Sequence, residues 1–273
     1  MIAAETKERL ARLAGHPVES VERLPGGCIG DVFKVSYAGA APVVAKIGGA
    51  GSGLAVEGWM LRYLAERTNL PVPRVIEMSD ELLVMDYVEA DGSLDAEAEG
   101  HAAALLAELH DVAGPRFGFE RDTLIGGLRQ PNDQSASWRD FFAVRRLGYM
   151  AEQANDAGRL PDATRRRVEA VAARLDRWID EPPQPALIHG DVWGGNVLCG
   201  ATGAGNRIAA FLDPAIYHAD PEIELAFSTL FGTFGEAFFA VYGERRPIRP
   251  GFFELRRDLY NLYPLLVHVR LFG

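Results

Sequence analysis

Strand-forming and helix-forming segments are segregated along this chain, and that separation constrains its fold more than any other feature. Up to residue 88 the pattern is mostly strand. "VESVERL", "DVFKVSY" and "PVVAKIG" alternate apolar and polar residues and are joined by Gly- and Ala-rich turns. "RVIEMS" and "ELLVMDYV" read as a further hairpin. A helix, "GLAVEGWMLRYLAERT", is inserted before it and stops at Pro71 and Pro73. Residues 89–95, "EADGSLD", are polar and turn-rich. Beyond them "AEAEGHAAALLAELHDV", "WRDFFAVRRLGYMAEQAND" and "PDATRRRVEAVAARLDRWID" have helical composition and periodicity. Strands first and helices after predict an α+β protein. The expected lobes are a small antiparallel β-rich one over residues 1–90 and a larger, mainly helical one over 91–273, with a ligand cleft between them.

Composition narrows what such a chain can do. Hydrophobic residues make up 48% of its 273, enough for a buried core and against extended disorder. The net charge of −10 gives no general attraction to nucleic acid or to an anionic membrane. A phosphate-rich ligand would therefore need local cations or a metal. No apolar run reaches the length of a membrane span, and the amphipathic N-terminus "MIAAETKERLARLAG" lacks the apolar stretch of a signal peptide. With Cys28 and Cys199 as the only cysteines, no disulfide framework is implied, and a cytoplasmic location is expected.

The candidate chemistry falls in a definite order. "GGCIGD", between the first two strands, holds Gly26, Gly27 and Gly30, whose backbone N–H groups could cover phosphates. An ordinary hairpin turn would look the same. Lys46 ends an apolar strand, where an unpaired buried charge is costly, so it wants a partner. Glu57 on the next helix is the expected one, the alternative being an edge-strand lysine facing water. "HGDVWGGN" has the H-x-D-x4-N spacing of a kinase catalytic loop. On that reading Asp191 aims a substrate hydroxyl at the γ-phosphate of ATP. Asn196, together with Asp213 at the end of a later strand, holds Mg²⁺, an ion that keeps few protein oxygens. His189 is expected to brace the loop rather than act as the base. Cys28 sits among backbone N–H groups that favour the thiolate, which makes it a candidate redox switch and a redox-linked contact between two copies.

These residues lie in segments that resemble the fructosamine kinase (ketosamine-3-kinase) family. That family belongs to the aminoglycoside- and choline-kinase branch of the protein-kinase-like fold. The similarity is carried by "HGDVWGGNV", "FLDPAIYHADPEIELAFSTLFGTF", "DTLIGGLRQPN" and "LYNLYPLLVHVRLFG", and it spans essentially the whole chain. It implies a two-lobed kinase-like fold and ATP-dependent phosphorylation of the 3-hydroxyl of a ketosamine, with deglycation repair as the outcome. One departure stands out: where relatives read G-x-R-E-x-D-L-A, this chain has Pro221 for the Arg and Glu224 for the second Asp. Trp193 distinguishes the loop from a generic kinase loop. It is expected to wall the sugar site, against the alternative that it fills the core beneath the loop. Two rival functions remain at this level: an aminoglycoside- or choline-type kinase of the same fold, and an inactive nucleotide-binding pseudokinase.

Overall fold

The computed structural model describes residues 2–25, 30–203 and 205–273. After helix α1 (Ala4–Ala14) come β1 (Val18–Arg23), β2 (Asp31–Tyr37) and β3 (Ala40–Ile47). Helix α2 (Leu54–Arg67) follows, then β4 (Val75–Met78) and β5 (Leu82–Asp86). The five strands form one antiparallel sheet in the order β1-β2-β3-β5-β4, so β3 is its centre. Strand alternation gives each face its own core. Phe33, Val35, Tyr37, Val43, Ala45, Leu82 and Val84 pack with Leu10 of α1 on one side. Val32, Val44, Leu83 and Met85 pack with Leu54 and Leu61 of α2 on the other. Lys46 is two residues beyond Val44, so the same period turns it toward α2. It is no edge lysine facing water, because β3 has neighbours on both sides.

Residues 91–95 lead into α3 (Ala96–His110). The Asp95 carboxylate caps this helix by accepting from the N–H groups of Glu97 and Ala98. The same carboxylate accepts from Asn206, and Asp91 accepts from the Ala201 N–H, so this linker is fastened to a hairpin further along the chain. A short hairpin, β6 (Thr123–Ile125) and β7 (Leu128–Gln130), comes next. Its two-residue turn, Gly126-Gly127, has both φ angles positive. That is the combination which suits the twist of a tight hairpin.

The stretch expected as one helix over 138–156 is helical throughout but not uniform. It consists of α4 (Trp138–Phe141), a π-helical turn (Phe142–Gly148) and α5 (Tyr149–Asp156). In the widened turn the fully buried Arg146 donates to the Pro131 carbonyl and Asn132, with its guanidinium 3.8 Å from the Tyr217 ring. The next expected helix, over 161–180, closes early as α6 (Asp162–Ala172), followed by a separate 3₁₀ turn at Leu175–Arg177. The remaining strands and α-helices are β8 (Ala186–Ile188), β9 (Val197–Thr202), β10 (Gly205–Phe211), β11 (Tyr217–Ala219), α7 (Glu222–Leu230), α8 (Glu236–Arg245) and α9 (Arg257–Phe272). β9 pairs with β10 and β8 with β11. The segments that β8, β9 and β10 leave between and after them, 189–196 and 212–216, are therefore held side by side.

Candidate active site

The loop after β8 is built around a glycine that no other residue could replace. Gly190 has φ +87°, and a Cβ there would lie 2.2 Å from the Ala215 carbonyl oxygen. That carbonyl belongs to the segment after β10, whose Ala215 N–H donates to His189 O at 2.7 Å. The His189 ring is buried, which pushes its pKa below the ordinary histidine range. Its Nδ1 accepts from the Asp191 N–H at 3.3 Å, so the imidazole braces the loop from inside. Glu224, fully enclosed near the start of α7, holds the same loop by its backbone. Its two oxygens accept from the N–H groups of His189 (3.2 Å) and Gly190 (2.5 Å). A third bond comes from His110 Nε2 at 2.8 Å, and His110 Nδ1 lies 2.7 Å from the Tyr242 hydroxyl. Burial alone would raise the Glu224 carboxyl; the bond from His110, the fields of His110 and His189 and the Gly190 N–H outweigh it and leave it lowered.

Asp191 projects from this braced loop. Asn196 Nδ2 donates to its carboxylate Oδ2 at 2.8 Å and to its backbone carbonyl at 2.9 Å. The amide nitrogen is thereby committed, and the amide oxygen is left as the group Asn196 can offer elsewhere. Burial pushes the Asp191 carboxyl up to about 8, and the Asp213 carboxylate adds to the shift. Asp213 is the one non-glycine residue with positive φ among the described residues, at +52°. Such a backbone is disfavoured for a residue with a side chain, and it is held here by the packed segments on either side.

Opposite them is Lys46, with only 4% of its surface exposed. Its Nζ donates to Glu57 Oε1 at 2.7 Å and also to Asp213 Oδ1. Burial by itself would lower the lysine; the two carboxylates overcome it and hold the ammonium above its usual value. Burial raises the Glu57 carboxyl, against the pull of Lys46. Lys46, Glu57, Asp191, Asn196 and Asp213 all line one cleft of about 530 Å³. Its remaining walls are largely apolar, with Val32 and Val44 from the sheet facing Leu198 and Leu212 from the β9–β10 region. Gly30 has φ +70°, and a Cβ there would lie 2.4 Å from the Ile47 carbonyl oxygen. Gly26, Gly27 and Cys28 lie outside the described residues.

Trp193 does not fill the core. It is 39% exposed and lines the same cleft. Its six-membered ring folds over Gly195, where a Cβ would come within 2.4 Å of the indole, so the second glycine of "WGG" makes room for the ring. Glu224 and its partner His110 are residues that motif spacing does not reveal. Glu224 is signalled only as a Glu where relatives have Asp and as a carboxylate inside the apolar run "IELAF", and His110 carries no such signal. Thr233 also goes unmarked in the sequence, and its hydroxyl accepts from the Gly194 N–H at 2.9 Å, fastening the loop to the turn after α7.

Comparison with known proteins shows the family and the fold. The family model described as fructosamine kinase matches residues 2–273. A probable ketoamine kinase of Synechocystis sp. is 34% identical over 277 residues, covering 97% of this chain and 90% of that protein. The crystal structure of a candidate fructosamine-3-kinase from Thermobifida fusca superposes with a TM-score of 0.87 at 31% identity, covering 100% of this chain and 94% of the other. An ADP-bound aminoglycoside phosphotransferase shares the fold at 16% identity, with a TM-score of 0.66 over 100% of this chain and 91% of its own. The architecture is the protein-kinase-like one, an antiparallel sheet lobe joined to a mainly helical lobe. The chain belongs to the fructosamine kinase family.

Proposed function

We propose that this protein transfers the γ-phosphate of ATP to the 3-hydroxyl of a ketosamine, the adduct of a sugar and an amine. The observation that carries the reading is the convergence in one cleft of a buried Lys46–Glu57 pair, Asp213, and an Asp191 carboxylate aimed by Asn196. Phosphoryl transfer is achieved chiefly by positioning and charge stabilisation, and each of these groups has a part in that. The apolar walls formed by Val32, Val44, Leu198 and Leu212 suit a purine base. Lys46, fixed by Glu57, meets the α- and β-phosphates, and Gly26, Gly27 and Gly30 are the glycines proposed to offer them backbone N–H groups. Residues 1–90 thus supply most of the nucleotide site, and 91–273 supply the catalytic loop and the acceptor site.

The donor set suits Mg²⁺. The free amide oxygen of Asn196 and the Asp213 carboxylate are two hard oxygens, and an ion with few protein ligands completes its shell with phosphate and water. When bound, Mg²⁺ would neutralise charge on the phosphates. Asp191 accepts the 3-hydroxyl proton as that oxygen bonds to the γ-phosphorus, and the bond from phosphorus to the β–γ bridging oxygen breaks to release ADP. Only the ionised carboxylate can accept that proton; burial and the Asp213 charge disfavour it, and the charge of a bound Mg²⁺ would favour it. Trp193 packs against the sugar. The reaction is placed in the cytoplasm, where ATP is abundant and thiols stay reduced. No helix among the described residues is long and apolar enough to cross a membrane.

The test is a coupled ADP-release assay across ribulose-lysine, fructose-lysine, choline and kanamycin, with the phosphorylated position read by NMR. Turnover on the ketosamines with phosphate at O3 is expected, and turnover confined to choline or kanamycin would refute the reading. Asp191→Asn should keep nucleotide binding and lose about 10²–10⁴-fold in kcat. Wild-type rates in that variant would remove Asp191 from its role.

A further inference from the structure

Asp191 stands between two cavities. One is the cleft that holds Lys46 and Asp213. The other is a pocket of about 30 Å³, which Asp191 lines together with Phe227, Tyr263 and His268. A nucleotide in the cleft leaves the second side for the acceptor, because the attacking and leaving oxygens lie roughly in line across the phosphorus. A row of rings joins the two cavities, with Trp193 on the wall of the first and His268 on the wall of the second. Trp193 meets Phe231 edge-on at 5.9 Å, and Phe231 meets His268 at 5.0 Å. His268 in turn contacts Phe272 at 5.6 Å. Phe231 is 48% exposed.

The row is held in place. Phe231 follows the last residue of α7, and two residues later the Thr233 hydroxyl accepts the Gly194 N–H, so the ring keeps its station relative to Trp193. His268 Nδ1 lies 2.8 Å from the Pro264 carbonyl oxygen. A carbonyl only accepts, so Nδ1 carries the hydrogen, and Nε2 is the ring's remaining acceptor.

We propose that Phe231 and His268, continuing outward from Trp193, form the subsite for the cationic amine of the ketosamine and the arm it carries. This rests on the ketosamine reading above. In such a substrate the amine is on C1 and the reacting hydroxyl on C3. When O3 reaches Asp191 the nitrogen is only two carbons away, next to the Trp193–Phe231 edge. Aromatic rings attract a cation placed over them, and a secondary ammonium has N–H donors to offer His268 Nε2. Because Phe231 is open to solvent, a long arm such as a lysine side chain can continue along the rings and out of the site. Phe231 and His268 therefore favour amine-bearing sugars over plain ketoses.

The experiment compares kcat/KM for ribulose-lysine and for free ribulose in the wild type, Phe231→Ala, His268→Ala and Phe231→Tyr. The wild type should prefer the amine-bearing sugar. Each alanine variant should lose about ten-fold of that preference, through KM for the sugar, as expected for a cation–aromatic contact. KM for ATP should hold, and Phe231→Tyr should retain the preference. An unchanged preference in both alanine variants would overturn the subsite while leaving the ketosamine reading in place. A wild type that phosphorylates no ketosamine would instead refute that reading, and the subsite with it.

Discussion

Replacing Glu224 by Gln tests whether the catalytic loop is held from behind. The carboxylate accepts three hydrogen bonds on two oxygens: His189 N–H and His110 Nε2–H on one, Gly190 N–H on the other. An amide can present an oxygen to only one side. Whichever way it is turned, its NH₂ group then faces a buried donor. One unsatisfied buried donor costs about 1–3 kcal/mol, and the surviving bonds lose the strengthening that an ionised acceptor gives. The expected loss of stability is about 2–4 kcal/mol. In a chain of this size that lowers Tm by about 4–16 °C. The variant should still fold, and its catalytic defect is one of placement. Gly190 and His189 carry Asp191 directly, so a shift of about 1 Å in their backbone is enough to lower kcat on the order of 10²-fold. KM for ATP should change little, since Lys46 and Glu57 belong to the sheet lobe. Steady-state kinetics with a thermal melt on the same preparation reads both effects. Glu224→Asp, which keeps the charge but shortens the reach, should fall between wild type and Gln. A Gln variant with kcat within two-fold of wild type and an unchanged Tm would refute the bracing argument.

Other expectations can be checked with the same assays. Lys46→Met leaves Glu57 buried without its cation, so KM for ATP should rise and kcat fall together, with about 3–5 kcal/mol lost from stability by denaturant unfolding. Gly190→Ala would force a Cβ to within 2.2 Å of the Ala215 carbonyl oxygen at a φ of +87°; activity should be lost even where circular dichroism shows a folded protein, and an active Gly190→Ala enzyme would mean the loop is not pinned there. Burial lowers the pKa of His218, so the unfolded chain binds its proton first and this residue's contribution to stability is lost as pH falls below about 6.5. The buried carboxyls of Asp191 and Asp220 are raised and act in the opposite sense, so the comparison is differential: the drop in Tm from pH 7 to 5.5, by scanning fluorimetry, should be smaller in His218→Asn than in wild type, and equal drops would exclude His218.

Much of this protein is written in its local chemistry. The alternation of "DVFKVSY" and "PVVAKIG" determines which side chains face α1 and which face α2, because a strand's period of two leaves no other choice. The Lys46–Glu57 pair follows from the same logic, since a lysine on the α2 face and a glutamate in the first turn of α2 are only 11 residues apart. The H-x-D-x4-N spacing likewise brings Asn196 back onto Asp191 within a single loop. The Gly126-Gly127 turn carries a tight-hairpin signal too, but the three-residue strands on either side are too short to show a period of two. The π-helical turn at Phe142–Gly148 has no such signal, because the sequence period there is that of an ordinary helix and only the burial of Arg146 against Tyr217 shows the widening. Other contacts join residues far apart in the chain: Asp213 meets Lys46 across 167 positions, and Glu224 meets His110 across 114. No periodicity reaches that far. These contacts exist because β8 to β11 bring two loops side by side and α7 packs behind them, burying a carboxylate that then has to take every donor within reach.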